Sequence, residues 1–271
     1  MCWRKTDATL IPLNRKEALK SADENTADKV VILGVIFDRL DREQALLALC
    51  GAIGLGEARK VFIVNAHTLN LASSDRDFRQ VLNSADLLLN DGAGVQIASW
   101  LVGKPFYDNL VGTDLVPQLF ERTLEQKTGI FLLGGKQGVP ERAAEKLHTL
   151  YPGLLISGTQ HGYFSSSELD RVIEAINTSR ARILIVALGN PLQEKFIHEN
   201  AHKLDCDLCI GVGGLIDYWG SGLQRAPAWM RRYRLEWVNI LVRQPHKWRR
   251  YILGNPLFLG RIIVRHLGRR Q

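Results

Sequence analysis

No apolar run in the 271-residue chain approaches the ~20 residues needed to span a membrane, and residues 1–28 lack the apolar centre of a secretory signal. Cysteine is scarce: the four, at 2, 50, 206 and 209, make no disulfide framework. Cys50, Cys206 and Cys209 lie in apolar surroundings, where a thiol behaves as a small hydrophobe. A reducing cytoplasm is therefore the expected setting. Cys206 and Cys209 have CxxC spacing, but no second pair or histidine cluster completes a zinc site, so no metal and no cofactor are expected. There is no GxxxxGK[ST] P-loop and no GxGxxG fingerprint, which removes the usual support for a nucleoside triphosphatase or a dinucleotide-dependent dehydrogenase. At 46% hydrophobic and 23% charged residues the mix is that of an ordinary globular protein, long enough for one large α/β domain with an appendage.

The final sixth of the chain lacks acid. Of 35 Lys and Arg, twelve fall between Arg225 and Gln271, with Glu236 the one acid among them. The rest carries 23 bases against 27 acids, so the whole excess of positive charge belongs to this end.

What is present is alternation of apolar runs and helical periods. VFIV (61–64) and DLLL (86–89) each end at a small polar cluster, with a helical segment DRDFRQVLNSA between them: a β-α-β unit. KVVILGVIFD (29–38) reads as a first strand and REQALLALCGAIGL as a helix. VPQLFERTLEQK reads as a helix after the linker PFYDNLVGTDL. From Gly129 strands at IFLLGG, LLISGTQ, RILIVALG and DLCIGVGG alternate with helices at GVPERAAEKLHTLYPG, SSSELDRVIEAINTS and PLQEKFIHENAHKL. The expected fold is a Rossmann-like, predominantly parallel sheet with helices on both faces. Residues 1–28 show no period and read as a tail, 29–222 as the core, and 223–271 as a basic appendage of two or three amphipathic helices broken at Pro245 and Pro256.

In such a sheet ligands bind at the carboxyl ends of the strands, so Asn65 and Asp91 should face one crevice. Four loops after strands are rich in glycine or amides: 90–94, 134–138, 189–194 and 211–214. Glycine lets backbone N–H groups approach an anion, and a following helix adds its dipole, so a phosphate-bearing ligand is the natural occupant. Any one of these loops could be a plain tight turn, and Asp91 could be a helix N-cap. Its place beside glycines at a strand end equally fits a general base. The DxD pairs Asp75/Asp77 and Asp205/Asp207 sit at helix ends away from this edge and read as solvated caps; His198 and His202 read as a surface pair.

The ordered motifs VNA (64–66), NDGAGV (90–95), VGTDL (111–115), FLLGGKQGV (131–139), GYF (162–164), GNPLQE (189–194), GVGGLID (211–217) and RAP (225–227) resemble those of the WecG/TagA/CpsF family of bacterial glycosyltransferases, glycosyltransferase family 26. The resemblance implies transfer of a hexose or N-acetylhexosamine, such as N-acetylmannosamine or glucose, from a UDP-sugar to a polyprenyl-diphosphate-linked sugar. It implies Asp91 as the base that takes the acceptor hydroxyl proton, with inversion and without a metal. By the same resemblance Asn65 and Gln193 hold sugars, and Tyr163, Gly214 and Asp217 belong to the UDP site. Gly135, Gly189, Asn190, Gly213 and Arg225 would line the donor diphosphate. Two positions depart from the family pattern: Ile63, where a hydroxyl residue is common, and Asn109, where arginine is common. Both bear on the sugars accepted, and Asn109 is counted with the substrate residues.

Arg231, Arg232, Arg234, Arg243, Trp248, Arg249 and Arg250 share the appendage with isoleucine and leucine, which suits an anionic membrane surface. The expected location is cytoplasmic, peripheral on the inner face of the cell membrane. The alternative is a non-catalytic nucleotide-binding module with a nucleic-acid-binding tail, since clustered arginine with aromatic residues also serves nucleic acid. The membrane reading expects no nucleic acid as partner and leaves homo-oligomerisation open.

Overall fold

The computed structural model describes the backbone of residues 2–6 and 9–13, all of 28–222, single positions at 227, 230, 238, 242 and 248, and residues 252–267. Strands β1 (Cys2–Thr6) and β2 (Thr9–Leu13) pair antiparallel. The stretch read as a tail therefore contains a two-stranded ribbon. Its pairing is a main-chain ladder, which leaves no apolar period to read. Residues 29–38, read as one strand, form a hairpin of β3 (Lys29–Ile32) and β4 (Val35–Asp38). Leu33 and Gly34 both take left-handed φ, 51° and 86°, as a two-residue type I′ turn requires. Leu33 concealed that turn because it is apolar.

The next elements are α1 (Arg42–Ala52), β5 (Arg59–Val64), α2 (Ala66–Ser74), α3 (Arg76–Asn83), β6 (Leu87–Asn90), α4 (Ala93–Leu101) and α5 (Gly112–Thr123). Then follow β7 (Ile130–Gly134), α6 (Val139–Leu150), β8 (Ile156–Gln160), α7 (Leu169–Thr178), β9 (Ile183–Ala187), α8 (Leu192–Asn200), β10 (Leu208–Gly211), α9 (Leu215–Gly220) and α10 (Gly254–Leu267). Strands β5 to β10 form one six-stranded sheet, every pairing parallel, in the order β6-β5-β10-β9-β7-β8. The Rossmann-like expectation holds. Burial of both faces explains the continuous apolar runs: β7 and β9 have no exposed position.

Each face of the sheet has its own core. Helices α1, α5, α6 and α9 cover one through Leu46, Phe120, Leu147 and Trp219. Helices α2, α3, α4, α7, α8 and α10, with the β3–β4 hairpin, cover the other through Leu69, Phe78, Val95, Ile176, Ile197 and Phe258. Helix α2 was not foreseen. Its period is short, and its N-cap is Asn65, a residue read only as a sugar contact. Helix α5 starts at Gly112, inside the expected linker, and carries Pro117 within it. Pro256, expected to break a helix, lies in the first turn of α10, where proline's missing N–H has no intrahelical acceptor to lose.

At the opposite edge of the sheet Asp207 is fully buried. It accepts from Gly54 N at 2.7 Å, Gly56 N at 3.1 Å, and Arg182 Nε and Nη2 at 2.5 and 2.9 Å. That corrects its reading as a solvated cap: four donor atoms of sequence-distant partners replace the water a carboxylate needs. Asp75 does cap, accepting from Phe78 N at 2.9 Å. His198 and His202 are exposed, with His198 Nδ1 2.7 Å from Ser84 Oγ. Burial pushes the Cys206 thiol up to about 12 and Cys209 well above the usual range, so both stay inert thiols. Among the described residues no helix is long and apolar enough to cross a membrane, and no three His, Cys, Asp or Glu side chains gather to hold a metal.

Candidate active site

Every parallel strand ends at the same edge; the loops that follow, and the first turns of α8 and α9, carry the expected site positions before residue 223 except Asn109, which lies between α4 and α5. The register of β5 on β6 pairs Val64 with Asn90, and Asp91 N donates to Val64 O at 2.9 Å. Asn65 and Asp91 are thus neighbours across adjacent strand ends, with backbones roughly 5 Å apart. Asp91 is partly exposed, and the N-cap of α4 is Gly92, which bears no side chain to cap with. The plain capping reading of Asp91 therefore falls to its neighbour.

The side chains around Asp91 hold its loop. Asn109 Oδ1 accepts from Gly92 N at 2.7 Å, and Asn90 Nδ2 donates to Asp108 O at 2.9 Å, so residues 105–111 buttress residues 90–92. Asn109, counted among the substrate residues, braces the backbone beside Asp91. Asn65 Oδ1 caps α2, accepting from His67 N at 3.1 Å and from Thr68 N and Oγ1 at 3.3 Å each, which leaves its NH2 to donate. Ile63 is buried, its Cδ1 3.4 Å from where a Cβ on Gly112 would lie. The family's hydroxyl position is thus closed beneath the start of α5.

The second group lies after β7 to β10. Gly134 ends β7 so close to β9 that a Cβ would meet Ala187 O at 2.3 Å. Gly162 N donates to Gly135 O at 2.9 Å, tying the loop that carries Tyr163 to the loop after β7. Tyr163 is 72% exposed, an aromatic face standing free beside that edge. Asp217 turns its carboxylate towards Gly135: Oδ1 is 3.3 Å from where a Cβ on that glycine would sit. Gly214 is exposed at the start of α9. Gln193 is 1% exposed, with Oε1 accepting from Gly213 N at 2.9 Å and Nε2 donating to Glu194 Oε1 at 2.9 Å. Its side chain ties the loop after β9 to the loop after β10.

Glu194 closes the GNPLQE motif, and no role follows for it from the sequence. It is fully buried, Oε1 also accepts from Asn190 Nδ2, and Oε2 has no partner among the described residues. Burial raises its carboxyl to about 7, against the opposing pull of the Gln193, backbone and Asn190 hydrogen bonds. An acid next to a buried amide in a strand-end loop was the available signal.

Helices α4, α6 and α8 all begin at this edge with no side-chain cap hydrogen bond, unlike α1, α2 and α3, which Asp41, Asn65 and Asp75 cap. Uncapped N–H groups carry the positive end of the helix dipole, an arrangement suited to an anion. Strand β10 lies between β5 and β9, so the Asn65 end and the Gly189 end are about 10 Å apart. Asn65, Asp91 and Asn109 group on one side of this edge; Gly135, Tyr163, Gly189, Asn190, Gln193, Gly213, Gly214 and Asp217 group on the other. Arg225, Arg231, Arg232, Arg234, Arg243, Arg249 and Arg250 lie outside the described residues. Trp248 is 43% exposed.

The chain is similar to known proteins. A transferase of Bacillus subtilis is 36% identical over 191 residues, covering 70% of this chain and 73% of its own. A second, from Bacillus spizizenii, is 34% identical over 186 residues, 69% of this chain and 71% of its own. A third, from Staphylococcus aureus, is 27% identical over 242 residues, 88% and 93% of the two chains. Each bears the name N-acetylglucosaminyldiphosphoundecaprenol N-acetyl-beta-D-mannosaminyltransferase. The Glycosyl transferase WecG/TagA/CpsF family matches residues 30–271, from the β3–β4 hairpin through α10, and the chain belongs to that family of glycosyltransferases.

Proposed function

We propose that this glycosyltransferase moves N-acetylmannosamine from its UDP-linked donor to N-acetylglucosamine carried on a polyprenyl diphosphate, in the assembly of a cell-envelope polymer. The observation that carries the reading is the 36% identity to the Bacillus subtilis enzyme over 191 residues, 70% of this chain. Asp91 acts as general base: it takes the proton of the acceptor hydroxyl as that oxygen attacks the anomeric carbon, while the bond to the UDP oxygen breaks. Attack from the face opposite an α-linked leaving group inverts the centre, in keeping with the beta linkage in the relatives' names. Asn65 NH2 donates to a sugar oxygen. The diphosphate lies over the uncapped start of α8 and the glycine loops, whose N–H groups receive the charge that develops on UDP. Tyr163 and Asp217 hold the nucleoside, Asp217 by accepting from hydroxyl groups. Arg225 adds a cation to the diphosphate, and no metal takes part.

The appendage serves as a foot on an anionic membrane surface at the inner face of the cell membrane, where the lipid acceptor resides. Helix α10 supports this in part. Phe258 and Ile262 are buried against the body of the protein, whereas Ile252, Leu253, Leu257, Ile263 and Val264 are exposed.

Incubation with UDP-N-acetylmannosamine, UDP-N-acetylglucosamine and UDP-glucose, each with a short-chain polyprenyl-diphosphate N-acetylglucosamine and with or without EDTA, tests the reading by product mass and anomeric configuration. A β-linked N-acetylmannosaminyl product formed in EDTA is expected. Transfer of glucose alone, or a retained α linkage, would overturn the donor or the mechanism.

A further inference from the structure

We propose that Glu194 is a positioning residue of the donor site, a neutral carboxylic acid that orients Asn190 and Gln193 and couples binding of the donor diphosphate to uptake of one proton. The inference rests on the proposed donor.

The geometry is lopsided. Two amide donors, Asn190 Nδ2 and Gln193 Nε2, converge on Oε1, and no donor among the described residues reaches Oε2. This is the pattern of a carboxylic acid with its carbonyl oxygen at Oε1 and its hydroxyl at Oε2. A buried O–H left without an acceptor costs about 1–3 kcal/mol, and a bare anionic oxygen costs more. Glu194 also sits in the first turn of α8, whose N-terminus opens on the crevice. A carboxylate there would offset the positive end of the helix dipole and repel a diphosphate; a neutral acid leaves that end to the ligand. Through Gln193, whose Oε1 holds Gly213 N, the acid fixes the spacing of the loops at 189–191 and 212–214.

The charged groups around α8 do not account for its state. The elements packed most closely on this helix among the described residues are α3, β5, β9, β10 and the turn Ala201–Lys203, whose His202 and Lys203 are exposed. From α3, Asp75 pairs with Lys195 of α8 itself at 3.8 Å; Arg76, Asp77 and Arg79 belong to the same helix. On β5, Arg59 is 3.6 Å from Asp86, and Lys60 follows it at the end of the strand remote from the crevice. Strand β9 has no titratable residue, and β10 has the buried Cys209 thiol. His198 and Glu199 of α8 are exposed. None of these groups bonds to Glu194, and desolvation, the main cause of its raised value near 7, is set by the packing. Below that pH the acid is already neutral when the donor arrives. Above it, the dianionic diphosphate binds as Glu194 Oε2 takes a proton from solvent.

Calorimetric titration of the full chain with UDP-N-acetylmannosamine from pH 6 to 9, on wild type and Glu194→Gln, tests this. The wild-type Kd should be flat below about 7 and then weaken towards about tenfold per pH unit. Glu194→Gln, neutral throughout and still offering a carbonyl oxygen, should show a flat Kd and bind more tightly than wild type at pH 9. Parallel pH dependence in the two proteins, or a uniform loss in the variant, would overturn the inference. If neither protein binds this nucleotide at any pH, the donor assignment fails separately. NMR titration of the wild type then decides for Glu194: its side-chain carboxyl carbon and the Gly213 amide should move together near neutral pH. An ordinary carboxylate titration, or a Gly213 amide that ignores it, would sink the proposal.

Discussion

Asp91 and Glu194 are both acids at one sheet edge, set apart by exposure. Asp91 is partly exposed beside Gly92, and the proposed mechanism makes it the base. Asp91→Asn keeps its size and should lower kcat by about 10²–10⁴ with UDP affinity little changed. Turnover near that of wild type would refute the assignment. Glu194 instead makes stability depend on pH. Its carboxyl goes from 4.5 in the unfolded chain to about 7 in the fold. Below 4.5 both states hold the proton. As pH rises from there to 7 the unfolded chain releases it first, so stability falls, by roughly 3 kcal/mol in all, and levels off above 7. Urea midpoints at pH 5 and pH 8 should therefore differ less in Glu194→Gln than in wild type; equal differences would show that the effect arises elsewhere. Residue types at strand ends announced the edge in the sequence. They could not announce that Asn109 holds Gly92 or that Gln193 takes the Gly213 N–H, because those bonds join positions 17 and 20 residues apart that only folding brings together; the capping of α2 by Asn65 is local, and the short period of that helix hid it.

Helix α10 shows the same division at the level of an element. Its period marked an amphipathic helix, and its contacts decided which face turns inward. Phe258 and Ile262 pack onto the body through α2 and α4, Asn70 Nδ2 donates to Gly254 O at 2.7 Å, and Arg261 Nη1 donates to Asn70 Oδ1 at 2.9 Å. Phe258→Ala should cost about 3–5 kcal/mol by denaturant unfolding. A double change of Leu257→Ser and Val264→Ser, on the exposed face, should alter stability by no more than about 0.5 kcal/mol per site. The proposed foot requires that the same double change weaken sedimentation with anionic vesicles. If vesicle binding is unaffected while Phe258→Ala unfolds the helix, α10 is cover alone.

For the whole molecule, ligand class and membrane affinity separate the glycosyltransferase from the rival picture of its basic end as a nucleic-acid grip. UDP should raise the melting temperature more than ADP or NAD at equal concentration, by mass action on the folded state. The chain cut after Gly222 should lose affinity for anionic vesicles and also melt lower, because the cut removes the residues that cover α2 and α4. Retention of single-stranded nucleic acid in preference to vesicles by the full chain would favour the rival. The sequence alone determined the alternation of strands and helices and the parallel sheet, since each follows from local periods and from the loops that end them. Only the tertiary structure decided that β10 enters between β5 and β9, that residues 29–38 turn back as a hairpin, and that Asp207 and Glu194 are buried. Strand neighbours, burial and the choice of hydrogen-bond partner are long-range, set by which surfaces exclude water from one another, and a local pattern of residues does not encode them singly.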